Sequence, residues 1–127
     1  MSKEAKFFIC KQCGNLVTKI HDSGAPLTCC GEKMTLLEPN TVDAATEKHV
    51  PVVTVDGNNV IVTVGSVEHP MVEEHFIQWI YLLTDKGFYV RVLEPGTKPH
   101  AVFDLNDENP LIAYEYCNLH GLWAKEI

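Results

Sequence analysis

The stretch "VPVVTVDGNNVIVTVG", residues 50–65, decides the fold. Valine and isoleucine alternate with smaller or polar residues on both sides of Asp56-Gly57-Asn58-Asn59. A period of two puts the branched side chains on one face of an extended chain, and the Asp-Gly-Asn-Asn interruption is a hairpin signal. The same pattern recurs outward from it. "FIQWIYLL" (76–83) and "FYVRVL" (88–93) flank "TDKG" (84–87), which predicts a second hairpin. "HAVFDL" (100–105), "LIAYEYC" (111–117) and "LWAKEI" (122–127) follow, separated by "NDENP" and "NLHG". No helical period of useful length appears. An all-β chain with seven short strands predicts an immunoglobulin-like β-sandwich over residues 47–127.

The N-terminal third reads differently. Residues 1–37 hold four of the five cysteines, short β-like pieces "FFIC" and "LVTKI", and turn signals at Gly14, "DSGAP" and Gly31. So short a segment buries too little apolar surface to fold unaided and needs a staple such as a metal ion. "EPNTVDAAT" (38–46) is polar with an early proline and reads as a linker.

Composition narrows the function. The chain has 127 residues, 46% hydrophobic and 21% charged, with a formal net charge of −7. That balance supports a folded core and disfavours nucleic acid, whose phosphates need a basic surface. "MSKEAKFFIC" lacks the apolar run of a secretory signal, and "FIQWIYLL" is too short to span a bilayer. The expectation is a cytoplasmic protein that makes no use of a membrane. In a reducing compartment five cysteines point to metal or redox chemistry rather than a disulfide framework.

Cys10-x-x-Cys13 lets one tight turn present two thiolates to one ion. The adjacent Cys29 and Cys30 complete a four-sulfur set only if the backbone turns sharply between them, since successive side chains of an extended chain point apart. Gly31 next door favours such a turn. Free thiols or a vicinal disulfide are the plainer readings, but they leave the module unstapled. Four sulfurs suit either zinc or iron.

A second constellation lies in the strand-rich part. His49 precedes its first long strand, His69 and His75 follow the second, and Cys117 and His120 form "CNLH" between the last two. Each alone is an ordinary surface or core residue. Together, at loops and strand ends that can meet at one edge of a sandwich, they make a possible metal site.

The motifs also carry a family resemblance. "CKQCG…CCGEKM" resembles the desulforedoxin module, and "EKHVP", "EHPM…EHFIQWI" and "CNLHG" resemble the neelaredoxin domain of the superoxide reductases. Jointly they resemble the desulfoferrodoxin family, over nearly the whole chain. That resemblance implies two mononuclear irons. Cys10, Cys13, Cys29 and Cys30 would hold one. His49, His69, His75 and His120 would ring the other, with Cys117 axial, His120 binding through Nδ1 and the other three through Nε2. His21 and His100 match no ligand position and read as surface residues.

The implied reaction is one-electron reduction of superoxide to hydrogen peroxide at an iron whose sixth position is open. Lys48 would supply local positive charge there, and Glu47 would occupy the open position in the oxidised resting protein; without the resemblance "TEKH" reads as a solvated charged loop. The resemblance further implies a small redox donor such as rubredoxin and a homodimer. N–H groups of the "CNLHG" loop should bond the Cys117 sulfur. Two other readings compete: a non-enzymatic iron electron-transfer protein, which would not need an open position, and a zinc-stabilised binding module, which leaves the histidines unexplained.

Overall fold

The computed structural model describes residues 3–127, and these divide into two compact units, residues 3–38 and 39–127. The larger unit contains the seven anticipated strands: β6 (Pro51–Asp56), β7 (Asn59–Val64), β8 (Ile77–Thr84), β9 (Phe88–Val92), β10 (His100–Asp104), β11 (Pro110–Cys117) and β12 (Gly121–Glu126). They form two antiparallel sheets, a three-stranded one in the order β10-β7-β6 and a four-stranded one in the order β12-β11-β8-β9.

Alternation sets which face is buried. In β7, Val60, Val62 and Val64 are buried while Asn59, Ile61 and Thr63 between them are more open. Register carries the pattern across the sheet, because Val60 faces Phe103 and Val62 faces Ala101 on β10. Ile77, Ile80 and Leu82 of β8 and Ala113 and Cys117 of β11 belong to the same buried cluster. Each buried valine, isoleucine or leucine among them contributes roughly 1.5–3 kcal/mol by leaving water. The β8–β11 register shifts between Tyr116 and Cys117, which pair with Trp79 and Ile77. This bulge at Gln78 turns both Cys117 and Ile77 inward, as bulges beside functional sites do.

At the other end of the sheet the turn after β8 is tied to the loop before β11. Thr84, fully buried, donates its hydroxyl to the Glu108 carboxylate at 2.6 Å and accepts from the Lys86 and Gly87 N–H groups. The Tyr89 hydroxyl bonds the other oxygen of Glu108.

The smaller unit is built from β1 (Phe7–Ile9), β2 (Leu16–Thr18) and β5 (Thr35–Leu36), in the order β2-β1-β5, and a tiny ladder of β3 (Thr28–Cys29) with β4 (Glu32–Lys33). Only the first two were anticipated, since pairs of two residues leave no periodic trace. The segment read as the end of a linker and a charged loop contains a single helical turn, α1 (Thr46–His49). One turn is too short to show a 3.6-residue period, and no side chain caps it. It is held from outside. The Glu47 carbonyl accepts from the Val67 N–H at 2.9 Å and the Ser66 hydroxyl at 3.2 Å. Gly65 lies so close that a Cβ there would stand 2.6 Å from the Glu47 carbonyl oxygen.

Hydroxyls of Thr84 and then Tyr89 hold the Glu108 carboxyl below the usual carboxylate range. A depressed folded-state pKa contributes stability that is present above the ordinary value of about 4.3 and is lost as pH falls through the folded value. Urea unfolding of the wild type and of Glu108→Gln should therefore differ most near pH 7 and converge toward pH 3.

Candidate metal centres

Two groups of donor atoms come together, each within 4.8 Å: Cys10, Cys13, Cys29 and Cys30, and His49, His69, His75, Cys117 and His120. Every metal ligand anticipated from the sequence lies in one of them. His21 and His100 are exposed and belong to neither.

In the four-cysteine group two tight turns face one another. The Cys10 carbonyl accepts from the Gly14 N–H at 2.8 Å, and Gly14 has φ +84°, so the Cys-x-x-Cys segment folds back on itself. The adjacent pair is solved by a two-residue hairpin. Cys29 pairs with Glu32 across β3 and β4, and the central residues Cys30 and Gly31 have φ of 52° and 75°. Positive φ at both central positions is the signature of a type I′ turn. Cys30 therefore adopts the left-handed region together with Gly31, which makes the sharp turn that the adjacent pair requires. The Cys13 and Cys29 sulfurs are 3.7 Å apart and those of Cys29 and Cys30 3.9 Å. Sulfurs roughly 2.3 Å from a shared ion in a tetrahedron stand about 3.8 Å apart. Cys10 has its pKa lowered to about 7, chiefly by the Cys13 main-chain N–H, whereas the facing sulfurs push Cys30 up to about 12. The first thiol to ionise is thus favoured and the last opposed, the pattern that a cation relieves.

In the second group four imidazoles form a closed cycle. His49 meets His69, His69 meets His75, His75 meets His120 and His120 meets His49, with centroids 4.6–5.0 Å apart and planes crossed by 74–89°. His49 Nε2 lies 3.2 Å from His69 Nε2 and 3.1 Å from His120 Nδ1. Two ligand nitrogens roughly 2.1 Å from one ion and at right angles to each other stand about 3.0 Å apart. The Cys117 sulfur lies 3.4 Å from His69 Nε2 and 3.8 Å from His120 Nδ1. His75 Nε2 is buried with no hydrogen-bond partner. Buried polar atoms left unpaired are rare, and one aimed among three other imidazoles fits a metal ligand.

The orientation of two rings is fixed from behind. The Nδ1–H of His49 donates to the Ala45 carbonyl and that of His69 to the Pro70 carbonyl, each at 2.7 Å, leaving both Nε2 lone pairs to face the cluster. His120 instead presents Nδ1, the division of ring atoms that the resemblance implied. Burial lowers the pKa of His49 and His75 and pushes His69 down to about 4. Cys117 is fully buried at the end of β11 and joins Gly121 of β12 through a three-residue turn closed by Gly121 at φ +81°. Desolvation raises its thiol pKa, while main-chain N–H groups of Leu119 and His120 oppose that rise by bonding the sulfur, as anticipated.

Glu47 and Lys48 are exposed on the helical turn that carries His49. Burial is the main cause that lowers the pKa of His49 and His75, followed by the neighbouring rings, and the Lys48 charge adds to it in the same direction. Three contributors escaped the sequence reading. Trp123 stacks on His49 with ring centroids 5.0 Å apart and donates its indole N–H to the His120 carbonyl at 3.0 Å. Glu115 is fully buried, two residues before Cys117, with neither carboxyl oxygen partnered, and burial pushes its pKa well above the usual range. Asn118 bonds the segment around His75. In sequence each is one more strand or loop residue; only the inward phase shared by Glu115 and Cys117 offered a signal.

Comparison with known proteins agrees with this geometry. Residues 41–126 match the family model for desulfoferrodoxin, and residues 2–37 match that for the desulfoferrodoxin N-terminal domain. The chain is 51% identical over 126 residues to desulfoferrodoxin from Syntrophotalea carbinolica and 46% identical over 126 residues to that from Nitratidesulfovibrio vulgaris, with 99% of each chain covered. Its structure is similar to that of the superoxide reductase from Treponema pallidum, with a TM-score of 0.82 and 42% identity over 98% of this chain and 100% of the other. A shorter superoxide reductase, from Giardia intestinalis, aligns with 64% of this chain at 34% identity and a TM-score of 0.55, covering 97% of its own length. With both of its domains matched and both donor clusters assembled, the chain belongs to the desulfoferrodoxin family.

Proposed function

We propose that the protein is a superoxide reductase, forming hydrogen peroxide from superoxide by one-electron reduction. The observation that carries this is the cycle of four imidazoles with Cys117 against it. His49, His69, His75, His120 and Cys117 would hold the ion, and a six-coordinate iron so held would have room for substrate. The residues fit iron: neutral imidazoles and one thiolate suit a redox-active centre, and the four-sulfur group suits a second. Iron bound at the five-donor site would supply the electron and a binding position for the anion.

The chain's own residues do the rest. Residues 39–127 contain five Lys or Arg against thirteen Asp or Glu, so an approaching anion meets a repulsive net field. We assign Lys48 the task of overcoming it. Its charge acts within the Debye length of about 8 Å, where distant carboxylates are screened. It also orders water that brings protons to the substrate. Glu47, on the same turn, would supply a carboxylate to the iron in the oxidised protein, as the family resemblance implies. The Leu119 and His120 N–H groups withdraw density from the Cys117 sulfur and so set how strongly it donates. Trp123 walls one side of His49 from water.

The finer organisation follows the family resemblance. Residues 1–37 are the desulforedoxin-like module, 38–46 the linker and 47–127 the reductase domain. A small donor of the rubredoxin type returns the electron, reaching the half-buried edges of His75 and His120. Two chains assemble as a homodimer, for which the exposed Phe88, Val90 and Val92 on the edge strand β9 offer apolar surface. The thiols, all free, agree with a reducing compartment, and we place the protein in the cytoplasm. Among the described residues no helix is long and apolar enough to cross a membrane.

Superoxide should be consumed with release of peroxide and no dioxygen; stoichiometric dioxygen would instead mark a dismutase and overturn the reading. Lys48→Ala should lower the second-order rate with superoxide about tenfold or more while leaving the iron spectrum in place, as measured by pulse radiolysis. Removing metal from the four-cysteine site should abolish amide protection at residues 3–38 and leave it at β7, β8 and β11, as read by hydrogen exchange.

A further inference from the structure

The rings of His49 and His69 are each held by a main-chain carbonyl on Nδ1. No such carbonyl holds the His75 ring among the described residues, and its Nε2 is unpartnered. Its main chain is held instead. His75 and Val72 exchange N–H···O bonds of 3.0 and 3.1 Å, closing a short turn. Asn118 then brackets the ligand on both sides. Its Oδ1 accepts from the Phe76 N–H at 2.9 Å, and its Nδ2 donates to the Glu74 carbonyl at 2.9 Å. The Asn118 N–H also donates to the Phe76 carbonyl at 3.2 Å. The amide cannot be reversed, because that would set donor against donor and acceptor against acceptor. Asn118 itself follows Cys117 directly and lies two residues before His120.

We infer that Asn118 is a positioning residue, whose side-chain amide fixes His75 through the main chain on either side of it and locks that ligand in register with Cys117 and His120. The inference rests on the five-donor cluster being an iron site. What a carbonyl does for His49 and His69 at the ring, Asn118 does for His75 at the backbone. The residue type is prescribed: a carboxylate cannot donate to Glu74, a hydroxyl cannot reach both partners, and glutamine sets its amide one methylene too far.

The test uses the full chain with both iron centres loaded and follows iron release to a strong chelator through the visible bands of each centre. The four-cysteine centre serves as reference within the same molecule. Asn118→Ala should speed release from the five-donor centre by about 10–100-fold, the usual effect of removing a residue that orients a ligand, and leave the four-cysteine centre unchanged. Asn118→Ser, which keeps one of the two side-chain bonds, should fall between. In a His75→Ala background, Asn118→Ala should accelerate release no further. Unaltered release in Asn118→Ala, or an equal acceleration when His75 is already absent, overturns the inference. Should Asn118→Ala fail to fold, Asn118→Ser decides, and a wild-type release rate there overturns it too. Native protein that takes iron only at the four cysteines would overturn the iron-site reading itself, which these outcomes do not.

Discussion

Bringing several electron-rich donor atoms to one point is unfavourable unless something positive stands between them, and the rest of this molecule is arranged around that fact. His49 Nε2 has a neighbouring lone pair at 3.1 Å on one side and at 3.2 Å on the other. Buried Cys117 adds a sulfur to the same cluster. A flexible chain would relax such a cluster apart. Here it cannot relax, because Cys117 ends a central strand, His49 ends a turn pinned by Val67 and Ser66, and a main-chain carbonyl holds His69 at the ring. The β-sandwich acts as a rigid frame whose loops and strand ends are held at the spacing a metal requires.

The four-cysteine unit turns the relation round. There is little frame: three short strands in one sheet and two more of two residues each. The sulfurs of Cys13, Cys29 and Cys30 nevertheless stand at tetrahedral spacings, because two turns with left-handed residues aim them. In the sandwich the frame fixes where a metal would sit, whereas the small unit has so little frame that a bound metal would add to its stability.

The sandwich was legible in the sequence because its strands carry a period of two and are separated by recognisable turns. All seven appear within a residue or two of the stretches that announced them, and both ligand sets were readable from cysteine and histidine spacing joined to the family resemblance. Three kinds of feature were not legible. Very short elements such as β3, β4 and α1 hold too few residues for periodicity to register. Backbone conformation at a residue that seldom adopts it, as at Cys30, leaves no mark in composition. Supporting contacts that depend on tertiary approach, such as Trp123 on His49 or Asn118 beside His75, become visible only when distant segments have met.

Gly65 shows how far the reach of a reactive centre extends into residues that never touch it. It carries no side chain and belongs to neither donor cluster, yet the carbonyl of Glu47 occupies the space where a methyl group would go. For a sequence drifting under mutation, that position is shut to the nineteen alternatives by crowding alone. The packing of the turn that carries His49 thereby restricts a residue outside both clusters.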